Sequence, residues 1–323
     1  MQPPRVHVIS LGGTIASTSD TGSGSPVTPA ITGARLVAAV PQLGEIAEIS
    51  TAQLAQVGSS SLTVDIVVEV ARAGMAALAD GARGVVVTQG TDTLEETAYL
   101  LSVLNRAERP FVVTGAMRNP TLPGADGPAN LHAAVLAAAD DDCGGVRALV
   151  AFNDQLHDPL WVHKAHVTST ATFTSGPQAG PLGWVLEGHL RLDYRPQTSP
   201  LLPLPSGPVP PVALVPATLG EDLRLLESLP DLGYAGAVID GVGGGHVHED
   251  AVDRIADLTA RMPVVLASRT GSGHMLSSTY GYPGSETDLL KRGLLSAGPL
   301  SGRKARLLLA VLLANEAVGD WPY

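Results

Sequence analysis

Along the chain, short runs of branched aliphatic residues alternate with longer stretches in which apolar positions return every three or four residues. VHVIS (6–10), GVVVT (84–88), PFVVT (110–114) and RALVAF (147–152) have the unbroken apolar character of strands buried on both faces. Between them, VDIVVEVARAGMAALAD (64–80), LEETAYLLSVLNRAE (94–108) and NLHAAVLAAAD (130–140) carry helical spacing. This alternation predicts an α/β fold whose largely parallel sheet is covered on both faces. Past residue 160 the rhythm shortens. WVHKAHV, GWVLEG and HLRLDYR predict brief strands joined by turns, with a hairpin at Glu187–Gly188.

The stretch RPQTSPLLPLPSGPVPP (195–211) has neither period and is rich in proline, which predicts a linker. After it, VALVP (212–216), GAVIDG (236–241), a helix over 249–261, PVVLAS (263–268) and a last helix near 302–315 predict a second, smaller α/β domain. The expected organisation is an N-terminal domain over 1–194, the linker, and a C-terminal domain over 212–323. A length of 323 residues, more than one compact core usually holds, agrees with two domains.

Composition narrows the chemistry. Aromatic residues make up only 4% of the chain, so Val, Leu, Ile and Ala must fill the core. A net charge of −11 argues against nucleic acid as a partner, because phosphate backbones need a basic face. No apolar run approaches the roughly 18 residues of a membrane span, so no membrane partner is expected. The start, MQPPRVHVISL, lacks the pattern of a secretory signal, and the expected location is cytoplasmic. Cys143 is the single cysteine, which leaves no intrachain disulfide and no cysteine-based zinc site.

In open α/β sheets, ligands collect beyond the carboxyl ends of the strands. Three strand ends here are unusually polar: Gly12-Gly13-Thr14, the run VVVTQGTDTLEET, and FNDQLHDPLWVHKAHVTST with Lys164 inside it. Thr93 and Glu96 fit a helix capping box, with Asp92 serving the first-turn amides. Capping does not require Thr91 or the Gln-Gly pair before it, and catalysis stays open beside it. Lys164 reads either as a solvent-facing strand residue or as a base that activates a hydroxyl. Lysine occurs elsewhere only at Lys291 and Lys304, and unlike arginine it can give up its proton when desolvated. GVGGGH (241–246) lacks the third glycine and the later acidic residue of a dinucleotide fingerprint. His163 and His166 fall on opposite faces of a strand, against a shared metal. Residues 17–26 hold no large apolar side chain and suit either a cover over substrate or a plain surface loop.

With these segments assembled, the chain resembles the bacterial-type L-asparaginase/glutaminase family over nearly its whole length. LGGTIAST (11–18), VVVTQGTDTLEETAYLL (85–101) and PFVVTGAMRNP (110–120) carry the resemblance; NLHAAVLAA (130–138), AFNDQLH (151–157) with Lys164 behind it, and GRKARLLL (302–309) add to it. It implies a large N-terminal α/β domain with a mixed, mainly parallel sheet, and a smaller flavodoxin-like C-terminal α/β domain. It further implies a homotetramer, a dimer of dimers whose active sites are shared between subunits, and hydrolysis of asparagine without metal or organic cofactor. By position, Thr14 matches the nucleophile, and Thr91, Asp92 and Lys164 the group in which lysine and carboxylate poise a threonine for proton transfer. Gly13, Ser59, Ser60, Gly90, Thr91, Asp92 and Glu286 fall at substrate-binding positions, Ser59 holding the α-carboxylate and Asp92 the α-ammonium. The chain departs from the pattern in its cover segment, which has no tyrosine; Tyr280 and Tyr282 are candidates for that role. Ser60 stands where many members have glutamine, and His246 near where many have asparagine. A glutaminase-asparaginase of broader specificity and a non-catalytic amino-acid-binding protein on the same fold are the alternative readings.

Overall fold

The computed structural model describes residues 3–18 and 27–323. The chain forms two compact units, Met1–Leu204 and Pro205–Tyr323. The division falls inside the proline-rich stretch, which forms neither helix nor strand.

The N-terminal unit begins with β1 (Arg5–Gly12), the short antiparallel pair β2 (Ser17–Thr18) and β3 (Thr28–Pro29), and helices α1 (Gly33–Ala38) and α2 (Leu43–Ile46). Then follow β4 (Glu48–Val57), α3 (Val64–Ala79), β5 (Gly84–Thr88), α4 (Leu94–Leu104), β6 (Phe111–Thr114), α5 (Gly127–Ala139) and β7 (Ala148–Phe152). Shorter strands complete it: β8 (Gln155–His157), β9 (His163–Lys164), β10 (Phe173–Thr174), β11 (Gly183–Leu186) and β12 (His189–Leu192). Of the cover expected over 17–26, Ser17 and Thr18 form β2; residues 19–26 lie outside the described residues.

Eight strands make one sheet in the order β12-β11-β8-β7-β6-β5-β1-β4. The five from β7 to β4 are parallel, and β8, β11 and β12 extend the sheet antiparallel. The chain leaves β1 to one side to make β4, then returns to the other side of β1 with β5. That reversal is a topological switch point, and it opens a crevice beyond the carboxyl ends of β1 and β5. Every residue of β5, β6 and β7 is buried, as strands covered on both faces require. The hairpin between β11 and β12 turns on Glu187 (φ 51°) and Gly188 (φ 78°), the paired positive φ values of a tight two-residue loop.

The reading of the pattern misses α1, α2, a helix at Glu286–Lys291 and a strand at Leu295–Ser296, carries its strand over WVHKAHV beyond the observed His163–Lys164, and differs from the structure in two larger elements. It has no strand at 48–57, yet β4 is the longest strand in the sheet; as an edge strand it is paired on one side only and its polar residues face solvent. It also carries α4 to residue 108, whereas the helix stops at Leu104. Asn105 is extended there, and its side-chain amide donates to the carbonyls of Arg109 and Arg147, both at 2.8 Å.

In the C-terminal unit, β13 (Val212–Pro216), β14 (Gly236–Gly241), β15 (Val264–Ser268) and β16 (Leu295–Ser296) form a parallel sheet in sequential order. Helices α6 (Val252–Thr259), α7 (Glu286–Lys291) and α8 (Gly302–Ala314) accompany it. Its apolar core includes Leu226, Ile239, Ile255, Leu266 and Leu289, all buried.

Candidate active site

Three neighbouring strands of the N-terminal unit, β4, β1 and β5, end alike. Each is followed closely by a glycine (Gly58, Gly13, Gly90) and then by one 3-10 turn opening on a hydroxyl residue: Ser59–Ser61, Thr14–Ala16 and Thr91–Thr93. Backbone contact locks the turns together. Gly13 adopts φ 79° and ψ −174°, a conformation essentially restricted to glycine, and a Cβ there would lie 2.0 Å from the Gly90 amide nitrogen. A Cβ on Gly90 would meet Ser59 Oγ at 2.7 Å, and one on Gly115 would meet the Gln89 carbonyl at 2.5 Å. The Gln89–Gly90 segment is thus held between two other backbones. Buried Asn130 fixes Gly115 from behind, donating to its carbonyl at 3.0 Å and accepting from Asn153 N at 2.9 Å.

Side chains converge on the same place. Lys164 Nζ donates to Thr91 Oγ1 at 2.9 Å and to Asp92 Oδ1 at 2.6 Å. Ser59 Oγ accepts from Asp92 N at 3.1 Å and lies 3.4 Å from Asp92 Oδ2. The lysine side chain is 17% exposed while that of Asp92 is 66% exposed, so the pair runs from the interior out to the crevice. Because Thr91 Oγ1 accepts from the ammonium, its own proton is free to point elsewhere.

Lys164 arrives from outside the parallel sheet, on the two-residue ladder in which it pairs with Phe173 of β10. Its backbone N–H is taken by the Glu95 carboxylate, which is buried at the start of α4. Glu95, Asn130 and Gly115 escape the sequence reading. The available signal for Glu95 was a carboxylate beside Leu94 in a helix whose neighbouring residues are almost all apolar or small.

The capping box is not formed. Thr93 Oγ1 donates to the Ser59 carbonyl at 3.1 Å, no side chain caps α4, and Asp92 is engaged by Lys164 instead. The 3-10 turn over Thr91–Thr93 leads straight into the helix, with the Leu94 N–H bonded to the Thr91 carbonyl.

Thr14 follows Gly13 directly, is half-buried, and makes no side-chain hydrogen bond among the described residues. Ser60 is exposed beside buried Ser59. His157 is buried against Ser175 Oγ at 3.0 Å; burial, with a contribution from His163, pushes its pKa down to about 4. His166 Nδ1 accepts from the backbone of Thr168 and Ser169, both at 3.0 Å, as a turn residue does. A concavity of about 690 Å³ around Asn105, Arg147 and Arg195 lies at the opposite end of the sheet and holds none of the candidate residues.

Glu286 belongs to the C-terminal unit and is wholly buried there. Its Oε1 accepts from Tyr280 N at 2.7 Å and Thr279 N at 2.8 Å, and its Oε2 faces His246 Nε2 at 3.0 Å. Burial works against its ionisation, but these hydrogen bonds outweigh it and hold the carboxyl below its usual range.

Two family models match the chain: Asparaginase, N-terminal, over residues 5–198, and Glutaminase/Asparaginase C-terminal domain, over residues 211–320. The chain is 34% identical to L-asparaginase 2 of Escherichia coli (strain K12) and 32% identical to the Probable L-asparaginase periplasmic of Haemophilus influenzae. Each match covers 97% of this chain and 89% of the relative. A crystal structure of the Probable Cytoplasmic L-asparaginase from Campylobacter jejuni superposes with a TM-score of 0.87 at 31% identity, covering 98% of this chain and 97% of that one.

Proposed function

The chain belongs to the asparaginase family, and from that premise we propose that it is an L-asparaginase, hydrolysing the side-chain amide of L-asparagine to L-aspartate and ammonia. The observation that carries this reading is the convergence of Lys164 Nζ on Thr91 Oγ1 (2.9 Å) and Asp92 Oδ1 (2.6 Å), beside the strand end that presents Thr14.

In this reading Thr14 Oγ attacks the carboxamide carbon, and ammonia leaves to give a threonine-linked acyl-enzyme. An amide is a poor electrophile, and the covalent intermediate divides one hard step into two. Thr91, poised by Lys164 and Asp92, moves the proton of the water that hydrolyses the ester. Backbone amides beside Gly13, Gly90 and Thr91 hold the developing oxyanion, a contribution of about 3–4 kcal/mol for a donor of this kind. Ser59, with Ser60 at its side, holds the α-carboxylate, and the exposed Asp92 oxygen takes the α-ammonium.

The reading includes a homotetramer in which Glu286 is the contribution of a neighbouring copy. It also places the protein in the cytoplasm, which accords with a single buried cysteine and no disulfide. Among the described residues no helix is long and apolar enough to cross a membrane.

Ammonia release from asparagine and from glutamine, by wild type and by Thr14→Ala, tests the reaction. Wild type should release ammonia from asparagine and the variant should not. Comparable release from glutamine would replace the assignment with a broader amidase, since one methylene is discriminated by only about 1–3 kcal/mol. No release from either amide would defeat the proposal.

A further inference from the structure

Two concavities adjoin on the N-terminal unit, away from the crevice of Thr14 and Lys164. The first, of about 690 Å³ at the amino ends of β6 and β7, is lined by Arg106, Arg147 and Arg195. The second, of about 570 Å³, is lined by Trp161, Trp184 and Tyr194. Asp158, Arg195 and Gln197 belong to both linings, so the two share one side. Each is as large as an ordinary small-molecule pocket, roughly 300–1,000 Å³.

Composition explains neither lining. The chain carries a net charge of −11, yet among the described residues none of these three arginines is ion-paired with a carboxylate. Arg147 donates to the carbonyls of Ser199 and Pro200, Arg195 Nη1 to that of Gly144 at 2.6 Å, and Arg106 makes no side-chain hydrogen bond among the described residues. Burial pulls the Arg147 guanidinium below its ordinary pKa, the mark of a cation short of counter-charge. Two carboxylates share the first lining, but buried Asp158 is engaged by Leu160 N at 2.9 Å and Gln197 N at 2.7 Å, and Glu108 is exposed. Three cations against two carboxylates leave room for an anion. On the other side, two of the chain's three tryptophans meet a tyrosine that is 66% exposed. Trp184 is fixed by its sheet partners Arg191 and Gln155, and such rings offer their faces to a flat ring.

We infer that the paired concavities bind a nucleoside monophosphate, its base against Trp161, Trp184 and Tyr194 and its phosphate at Arg106, Arg147 and Arg195. The exposed Gln197 amide on the shared side offers both a donor and an acceptor to the sugar hydroxyls between them. A ring and an anion joined by a polar spacer is the ligand class that matches all three parts. The site is separate from the asparaginase reading, since none of its residues belongs to the group around Thr91 and Lys164.

Tryptophan fluorescence reads this binding directly. AMP titrated into the intact protein should quench it saturably. Arg106→Gln and Tyr194→Ala change exposed side chains, so each should keep the wild-type melting temperature while weakening AMP by about 10-fold. The two losses should multiply in the double variant, because the side chains meet different parts of the ligand. Adenosine, and inorganic phosphate read by displacement of AMP, should each bind about 10-fold or more weakly than AMP. Phosphate as tight as AMP would remove the ring from the proposal, and adenosine as tight as AMP would remove the arginines. Absence of saturable quenching by AMP would overturn the site. Fluorescence that ignores AMP but changes on dilution would also overturn it, giving this face to a contact between copies.

Discussion

Both units close a parallel sheet with polar loops, yet the two ends are built differently. In the N-terminal unit three strand ends are pressed together, backbone on backbone, at Gly13, Gly90 and Gly115. In the C-terminal unit the loop after β14 is mixed: Gly243, at φ 53°, has no atom within 4 Å of where its Cβ would stand, while a Cβ on Gly244 would meet the Leu276 side chain at 2.6 Å and one on Gly245 the Met275 side chain at 2.1 Å. The first end fixes hydroxyls by main-chain contact and imports one amine from outside the sheet. The second lines up side chains, from Glu286 through His246 to Tyr282, on a turn in which His246 pairs with Val242 through the backbone. Glycine-rich strand ends therefore differ in kind. The first set packs main chain against main chain at Gly13 and Gly115, whereas in the second Gly244 and Gly245 pack against side chains and Gly243 serves the turn alone.

The sharpest way to break this comparison is at the imported amine. Lys164→Arg should reduce ammonia release by about 10²–10⁴-fold with unchanged circular dichroism, because a guanidinium does not give up its proton and does not match the Thr91–Asp92 spacing. Near-normal turnover would remove Lys164 from the chemistry and leave its contacts structural.

Next in size is the contrast between glycines. Gly13→Ala meets main chain at 2.0 Å in a glycine-only conformation, and combined strain and overpacking should cost roughly 2–6 kcal/mol. Gly243→Ala meets nothing and carries only the left-handed backbone penalty of about 1–2 kcal/mol. Denaturant midpoints of the two variants measure the difference; equal losses would erase the distinction between contact and turning glycines.

The smallest effect concerns acid sensitivity. The pKa of buried His157 is depressed from 6.5 to about 4, so the unfolded chain takes up a proton that the folded one refuses. The stabilisation from this residue is present above pH about 6.5 and is lost as pH falls toward 4, by up to about 3 kcal/mol. Unfolding of His157→Gln at pH 7 and at pH 4 should show a correspondingly smaller drop than wild type. The same drop in both proteins would place the acid sensitivity elsewhere.

How much of this was legible in the sequence depended on burial. The strand Gly84–Thr88 is apolar up to its last residue because both faces are covered, and its bounds were readable to the residue. The edge strand Glu48–Val57 has one free side, so Ser50, Thr51 and Gln53 dilute its pattern below recognition. Thr91, Asp92 and Lys164 stood out as candidates through residue type and scarcity, and the structure brings them within hydrogen-bonding distance. Glu95 did not stand out, since its task is to accept one backbone N–H from a residue 69 positions away. The Thr93 capping signal was real as a pattern but was overridden by the tertiary partner Ser59.

The ladder of β9 with β10 has a consequence for engineering. The amine is delivered by a strip two residues long that forms no part of the main sheet. A slip of one position along that strip would exchange His163 for Lys164 opposite Phe173 and turn the amine to the other face. The reach of the amine toward its threonine is therefore set by a strip of two residues, pinned to the scaffold where Glu95 takes the Lys164 N–H and where Phe173 meets Phe152 of the main sheet.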